Sequence, residues 1–254
     1  MGNGIYEVGR KYARDVVIPC YMSDRKYDLK PGSFMDIAQE MAMDGAEKLG
    51  FGYSKLFPLR MAWVLSRMHV HYVDAPKWCD DGTVYTWHRG VDGLFYRRDY
   101  EYKVGDRLCI AATSSWVIIN LDTRALEHPE VMAELAGSDP QDEAMALPSS
   151  APRIRMPRGI TPEKARDHVV AYSDVDFNGH ANNTRYIAWV MDCVDPEVAY
   201  SRPVKDVYIN YSKEIYAGET VQIFRAVEQA EDTFSYTFEG IVGDHTAFLA
   251  KVVF

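Results

Sequence analysis

The order strand, helix, four strands occurs twice along this 254-residue chain, and no other feature narrows its fold so far. In the first half, residues 5–29 alternate weakly and carry Val16, Val17 and Ile18, which predicts a strand with its turn. Pro31-Gly32-Ser33 then introduces a helix. Phe34, Ile37, Ala38, Met41, Ala42, Gly45 and Leu49 follow i, i+3, i+4, i+7 spacing, and Gly50 stops it. Stretches rich in aromatic and β-branched residues come next, at 61–73, 83–90, 95–104 and 108–121. The second half repeats this order. A strand is predicted at 165–173, a helix from about 181 to 194 with Ile187, Val190, Met191 and Val194 on one stripe, and strands at 204–213, 220–229, 233–242 and 245–254. Tyr72 followed by Gly82-Thr83-Val84 is echoed by Tyr211 followed by Glu219-Thr220-Val221. A lone helix ahead of antiparallel strands buries its apolar stripe against the concave face of a curled sheet. Two such units pair their sheets edge to edge about a pseudo-two-fold, which hides sheet edges and leaves a crevice between them. The class expected is α+β, duplicated in architecture rather than in sequence.

Between the halves, Pro140, Pro148, Pro152, Pro157 and Pro162 punctuate a polar segment. It reads as a linker over 137–162, after a short helix around 129–136. The domains expected are therefore 1–136 and 163–254.

About half the residues are hydrophobic, so a core can form, and no run is long enough to span a membrane. The stretch MGNGIYEVGRKY carries no apolar signal region and no Arg/Ser-rich transit pattern, and Tyr6 stands where myristoylation wants Ser or Thr. A cytoplasmic protein is expected. Cys20, Cys79, Cys109 and Cys193 have no paired spacing, which argues for reduced thiols rather than a disulfide framework or a zinc site. The formal net charge of −9 argues against non-specific nucleic-acid binding.

The chemistry concentrates in residues 172–194, YSDVDFNGHANNTRYIAWVMDCV. Asp174, Asp176, Asn178, His180, Asn182 and Asn183 crowd a loop that opens into the second helix. Taken singly, Asp and Asn are caps and turn formers, and Gly179 fits a tight turn. Taken together, acid, amide and imidazole at the start of a helix make a place to hold a developing negative charge. His69 and His71 point to one face of a strand, but no third metal ligand is visible, so packing is the simpler reading. No Gly-rich phosphate loop and no G-x-S-x-G elbow appears.

The pattern D-x-N-G-H-x-N-N-x-x-Y, from Asp176 to Tyr186, resembles the active-site segment of hot-dog-fold thioesterases. With WVLSRMHVHYVDAPKWCD, GLFYRRDYEYK, TSSWVIINLDTRALEHP and INYSKEIYAGETV, the chain is similar over nearly its whole length to the acyl-acyl carrier protein thioesterases of plants and bacteria. The resemblance implies a tandem hot-dog fold, each repeat a curled antiparallel sheet around a central helix. It implies hydrolysis of fatty acyl-acyl carrier protein, with no cofactor and no metal, by a monomer or homodimer. The family's catalytic Asp, Asn, His and Glu fall on Asp176, Asn178, His180 and Glu214. Plant members often carry Cys just after that Glu; Ile215 stands here, which removes a thiol mechanism at this place.

The roles expected are these. Glu214, its pKa raised by an apolar strand, activates water together with His180. Asn178 and backbone N–H groups at the helix start polarise the carbonyl, and Asp176 orients the others or attacks directly. The first-repeat helix, with Met35, Ala38, Met41, Ala42 and Gly45, is expected to line the acyl tunnel, since flexible Met suits an alkyl chain. Arg97, Arg98, Arg153, Arg155 and Arg158 are the candidate contacts for an acidic carrier protein. Competing readings are an acyl-CoA thioesterase, an enoyl-thioester hydratase and a non-catalytic acyl-thioester sensor. Asn178 and Glu214 argue against the hydratase, and the lack of a basic helix-turn-helix segment argues against the sensor.

Overall fold

The computed structural model describes residues 4–130 and 140–254. The lipidation reading at Met1-Gly2 and most of the helix expected around 129–136 lie outside them. The first half holds β1 (Tyr6–Val8), β2 (Lys11–Val17), α1 (Pro31–Lys48), α2 (Tyr53–Leu56), β3 (Met61–Tyr72), β4 (Asp81–Asp92), β5 (Phe95–Val104), β6 (Arg107–Asn120) and β7 (Leu126–Glu127). The second holds β8 (Glu163–Val169), α3 (Arg185–Met191), α4 (Pro196–Ser201), β9 (Asp206–Tyr211), β10 (Thr220–Ala230), β11 (Thr233–Val242) and β12 (His245–Val253).

All strands join one sheet in the order β1-β2-β4-β5-β6-β3-β9-β12-β11-β10-β8, with β7 paired to β6. Read outward from the β3–β9 seam, the two halves have the same order, so the duplication is one of topology. The seam is antiparallel and pairs Arg67 with Asn210, His69 with Tyr208 and His71 with Asp206. There, on the face away from the helices, His69 Nε2 and His71 Nδ1 lie 2.8 and 2.9 Å from Asp206 Oδ1, and His69 stacks on Tyr208. The two imidazoles thus meet a carboxylate across the seam. Among the described residues no His, Cys, Asp and Glu group is arranged to hold a metal.

α1 packs its buried stripe, including Phe34, Ala38 and Met41, into the first curl. Tyr186, Ile187 and Val190 of α3 fill the second. The helices meet at Gly32, where a Cβ would sit in ordinary van der Waals contact with Thr184 and Ala188. Arg185 on α3 bonds Asp36 on α1 at 2.7 Å. α3 is shorter than the periodicity predicts. Asn182 Oδ1 accepts from both the Thr184 N–H and hydroxyl at 2.9 Å, which holds the preceding backbone in a loop and delays the helix.

Residues 140–162 contain no helix or strand. They are stitched across the outer face of the sheet. Trp87 Nε1 donates to Ala144 O at 2.7 Å, Asp99 Oδ2 accepts from Ala146 N–H at 2.8 Å, and Asn210 exchanges bonds with Ile154 N–H and Pro152 O. No helix among the described residues is long and apolar enough to cross a membrane.

Candidate active site

The loop before α3 is a tight hairpin. Val175 bridges Ala181, Gly179 N–H donates to Asp176 O at 3.0 Å, and Asp176 N–H donates to His180 O at 3.1 Å. Gly179 takes a left-handed φ of 82°, which a glycine adopts without steric cost. Asp176 is the brace. Its Oδ1 accepts the Asn178 N–H at 2.8 Å, and its Oδ2 accepts Asn182 Nδ2 at 2.9 Å. Asp174 belongs elsewhere. It is buried, and its oxygens take bonds from the Ala171 N–H, His168 and Trp189. Burial opposes its ionisation, but these donors outweigh it and hold the carboxyl below the ordinary 3.8.

His180 stands where this hairpin meets the segment after β9. It bridges Tyr216, and Ala181 N–H donates to Ile215 O at 2.7 Å. His180 Nδ1 donates to Ala181 O at 3.3 Å, which leaves its Nε2 to face Glu214 Oε1 at 3.8 Å. That separation is too long for a direct hydrogen bond and suits a shared water.

Glu214 lies beyond the end of β9 rather than on an apolar strand, and its side chain is 25 % exposed. The raised pKa expected of it is corrected. Partial burial opposes ionisation, but the Tyr216 hydroxyl at 2.8 Å and the Arg124 guanidinium hold the carboxyl below the ordinary 4.5. Asn178 is exposed at the mouth. The backbone donors expected to polarise substrate are partly spent: Thr184 N–H goes to Asn182 Oδ1 and Arg185 N–H to Asn182 O.

Asp176, Asn178, His180 and Glu214 all line one cavity of about 810 Å³ that runs from the second half deep into the first. Its walls are mostly apolar and aromatic, among them Phe51, Leu56, Met61, Trp63, Leu65, Tyr96 and Trp116. Phe177, 69 % exposed, sets its edge against Tyr53, which stacks on Phe57, so an aromatic ridge from both halves rims the opening.

The α1 stripe expected to line the tunnel is largely displaced. Gln39, Ala42, Met43, Ala46 and Glu47 face the cavity, so only Ala42 of the expected set lines it. Met41 is fully buried, Met35 and Ala38 border a cleft of about 10 Å³, and a Cβ on Gly45 would meet Arg98 Nη1 at 2.7 Å. The apolar stripe found by periodicity is the one that faces the sheet. The cavity takes the neighbouring stripe, beginning at a polar Gln39, which hydrophobicity does not single out.

The basic candidates are corrected too. Arg98 is buried and donates to the Thr86 hydroxyl, and Arg97 is mostly buried, bonded to Ser115 and Asp92. Both line the cavity rather than an open surface. Arg153 and Arg155 are exposed, but they flank Ile154, which lies on the sheet face opposite the cavity. Arg158 is exposed in the same irregular segment. The cations at the mouth are instead Arg124 and Lys213.

Sequence reasoning missed Arg124 and Tyr216. Tyr216 lies two residues after Glu214, so on an extended chain it shares that side, and this spacing was visible. Nothing local marks Arg124, which comes from the other half. The first half also keeps the hairpin in altered form. Ser23 bridges Leu29, Tyr27 N–H donates to Asp24 O at 3.0 Å, and Asp24 N–H donates to Asp28 O at 2.8 Å. Tyr27, at φ 68°, stands where the second hairpin has Gly179, and Lys26 and Asp28 stand where it has Asn178 and His180. Lys26 Nζ is turned onto the Ala199 and Arg202 carbonyls, at the end of α4.

Sequence models of the acyl-ACP thioesterase N-terminal domain and C-terminal domain match residues 9–135 and 160–252. The oleoyl-acyl carrier protein thioesterase, chloroplastic, of Coriandrum sativum is 26% identical over 256 residues, which cover 89% of this chain and 65% of that protein. The chain thus spans about 65% of that relative's length. The crystal structure of an acyl-ACP thioesterase from Bacteroides thetaiotaomicron superposes with a TM-score of 0.80 at 26% identity, covering 96% of this chain and 97% of that one. The 12:0-ACP thioesterase from Umbellularia californica gives a TM-score of 0.83 at 20% identity, over 97% and 98% of the two chains, a likeness of fold.

Proposed function

The chain belongs to the acyl-ACP thioesterase family, and from that membership we propose that it hydrolyses fatty acyl-acyl carrier protein, releasing free fatty acid and the carrier's thiol and so ending chain elongation in fatty acid biosynthesis. The observation that carries this reading is the placement of His180 and Glu214 together at the wall of a largely apolar cavity large enough for an acyl chain.

In this mechanism a water sits between His180 Nε2 and Glu214 Oε1 and attacks the thioester carbonyl carbon. Imidazole is the usual proton acceptor at neutral pH, so His180 takes the water's proton and returns it to the departing thiolate. Glu214, kept ionised by its neighbours, orients the water and stabilises the imidazolium. The free side chain of Asn178 at the mouth is the donor offered to the carbonyl oxygen. Asp176 has both oxygens engaged within the loop, which favours a bracing role over direct attack. Division at 137–162 puts the reacting groups in one domain and most of the acyl wall in the other. We place the enzyme in the cytoplasm, a reducing compartment that suits four unpaired thiols.

Matched acyl-carrier and acyl-CoA substrates, followed by free-thiol release, test the reading. The carrier substrate should be preferred, and Glu214→Gln and His180→Ala should each lower kcat by about 10²–10⁴-fold in folded protein. A preference for CoA would make the chain an acyl-CoA thioesterase. Near-wild-type turnover in either variant would remove these residues from the mechanism.

A further inference from the structure

We infer that Arg124, supplied by the first half, is a positioning residue that fixes Glu214 of the second half with one carboxylate oxygen committed and the other free to work. The inference rests on the hydrolytic reading above. Arg124 Nη2 and the Tyr216 hydroxyl both bond Glu214 Oε2, while Oε1 faces His180. A carboxylate held at one oxygen cannot rotate away from the imidazole, so the gap that receives the water stays fixed.

The backbone beneath Arg124 points the same way. It takes a left-handed φ of 59°, a conformation disfavoured for a side chain of this kind. The turn between β6 and β7 enforces it. Asn120 Oδ1 accepts the Asp122 and Thr123 N–H groups at 3.0 Å, Asn120 O accepts the Arg124 N–H, and Arg60 pairs with Asp122 at 2.7 Å. Glycine is the residue this position favours on backbone grounds alone. A strained residue in an over-determined turn, with its side chain on a reacting carboxylate, is the pattern of strain kept for function. The half that lacks a working histidine therefore still completes the site.

The test is Arg124→Gly with Arg124→Lys as its partner. A surface ion pair kept for stability would lower Tm when removed. Relief of the left-handed strain predicts a Tm equal to or above wild type. Loss of the clamp predicts a kcat lower by about 10²-fold, the scale of a small misplacement of a reacting group, with KM changed far less. The acid limb of the kcat/KM profile should move to higher pH in Arg124→Gly and return in Arg124→Lys. In ¹³C-Glu-labelled protein, the Glu214 carboxyl resonance, assigned by its loss in Glu214→Gln, should titrate higher in Arg124→Gly than in wild type. Wild-type kcat and pH profile in Arg124→Gly, or an unmoved Glu214 titration, would overturn the inference. Should wild type hydrolyse no acyl thioester, the functional reading fails, and the titration still decides whether the clamp exists.

Discussion

Replacing Ala46 by Leu should shorten the acyl chains the protein prefers. Ala46 lies on α1 facing the cavity, packed with Phe51 and Tyr96. The cavity begins at Glu214, beyond β9, and is lined successively by residues of β3, β6, β5 and β4, ending at His88. Four strand spacings of about 4.8 Å give a span of about 19 Å. The Ala46 side chain packs with Tyr96 of β5, three strand spacings from the β9 end of the cavity. Leucine adds three carbons, so the longest chains lose room for about three methylenes. At about 0.8 kcal/mol each that is about 2.4 kcal/mol, or about 50-fold in kcat/KM relative to chains three carbons shorter. The shorter chains should keep their turnover. The assay is kcat/KM across a saturated acyl-carrier series by thiol release, with Tm measured to establish folding. A uniform loss at all lengths, or a length profile unchanged within about threefold, would refute the reasoning. Gly45→Leu is the contrast: its side chain strikes the buried Arg98 guanidinium directly, so stability should fall as well.

Other expectations follow from the same geometry. Alkylating or replacing Cys20, Cys79, Cys109 and Cys193 should leave hydrolysis largely intact, because none lines the cavity; stoichiometric inactivation through one thiol without unfolding would reinstate a nucleophilic cysteine. The depressed pKa of Asp174 means its stabilisation is present above the ordinary 3.8 and is lost as pH falls through the lower folded value. The Tm gap between wild type and Asp174→Asn should accordingly be constant near neutrality and close on acidification, and a pH-independent gap would contradict this. Gly240→Ala drives a Cβ into the buried Phe248 ring. It should cost about 1–3 kcal/mol, read as a lowered Tm, and an unchanged Tm would show that the strand yields freely.

Much of the fold is legible in the sequence because binary pattern dictates it. Strands at Phe95–Val104 and Thr233–Val242 fall where the alternation puts them, and Gly50 ends α1 as its position implies. The hairpin before α3 is legible because Asp, Asn and Gly at that spacing have few structural alternatives. What stayed hidden depends on contacts between distant residues. The pKa direction of Glu214 turns on Arg124, ninety positions away and in the other half. The tunnel stripe turns on which side of α1 lies against empty space, and apolar periodicity marks the side that lies against protein. The buried Arg98 reads as surface in the sequence, because an Arg-Arg pair gives no sign of which member points inward.

On the proposed function, the altered hairpin of the first half sets how many acyl groups one chain should process. Two equivalent hairpins would give two reacting loops competing for a single crevice. Here Lys26 is tied to the carbonyls of α4 and Asp28 stands in the place of an imidazole, so that loop serves as a cross-brace between the halves. On the proposed function, one acyl group is turned over per chain at a time, since of the two hairpins only the second carries an imidazole. Saturation within a single chain should be hyperbolic, and a tight-binding thioester analogue should titrate the protein at a stoichiometry of one.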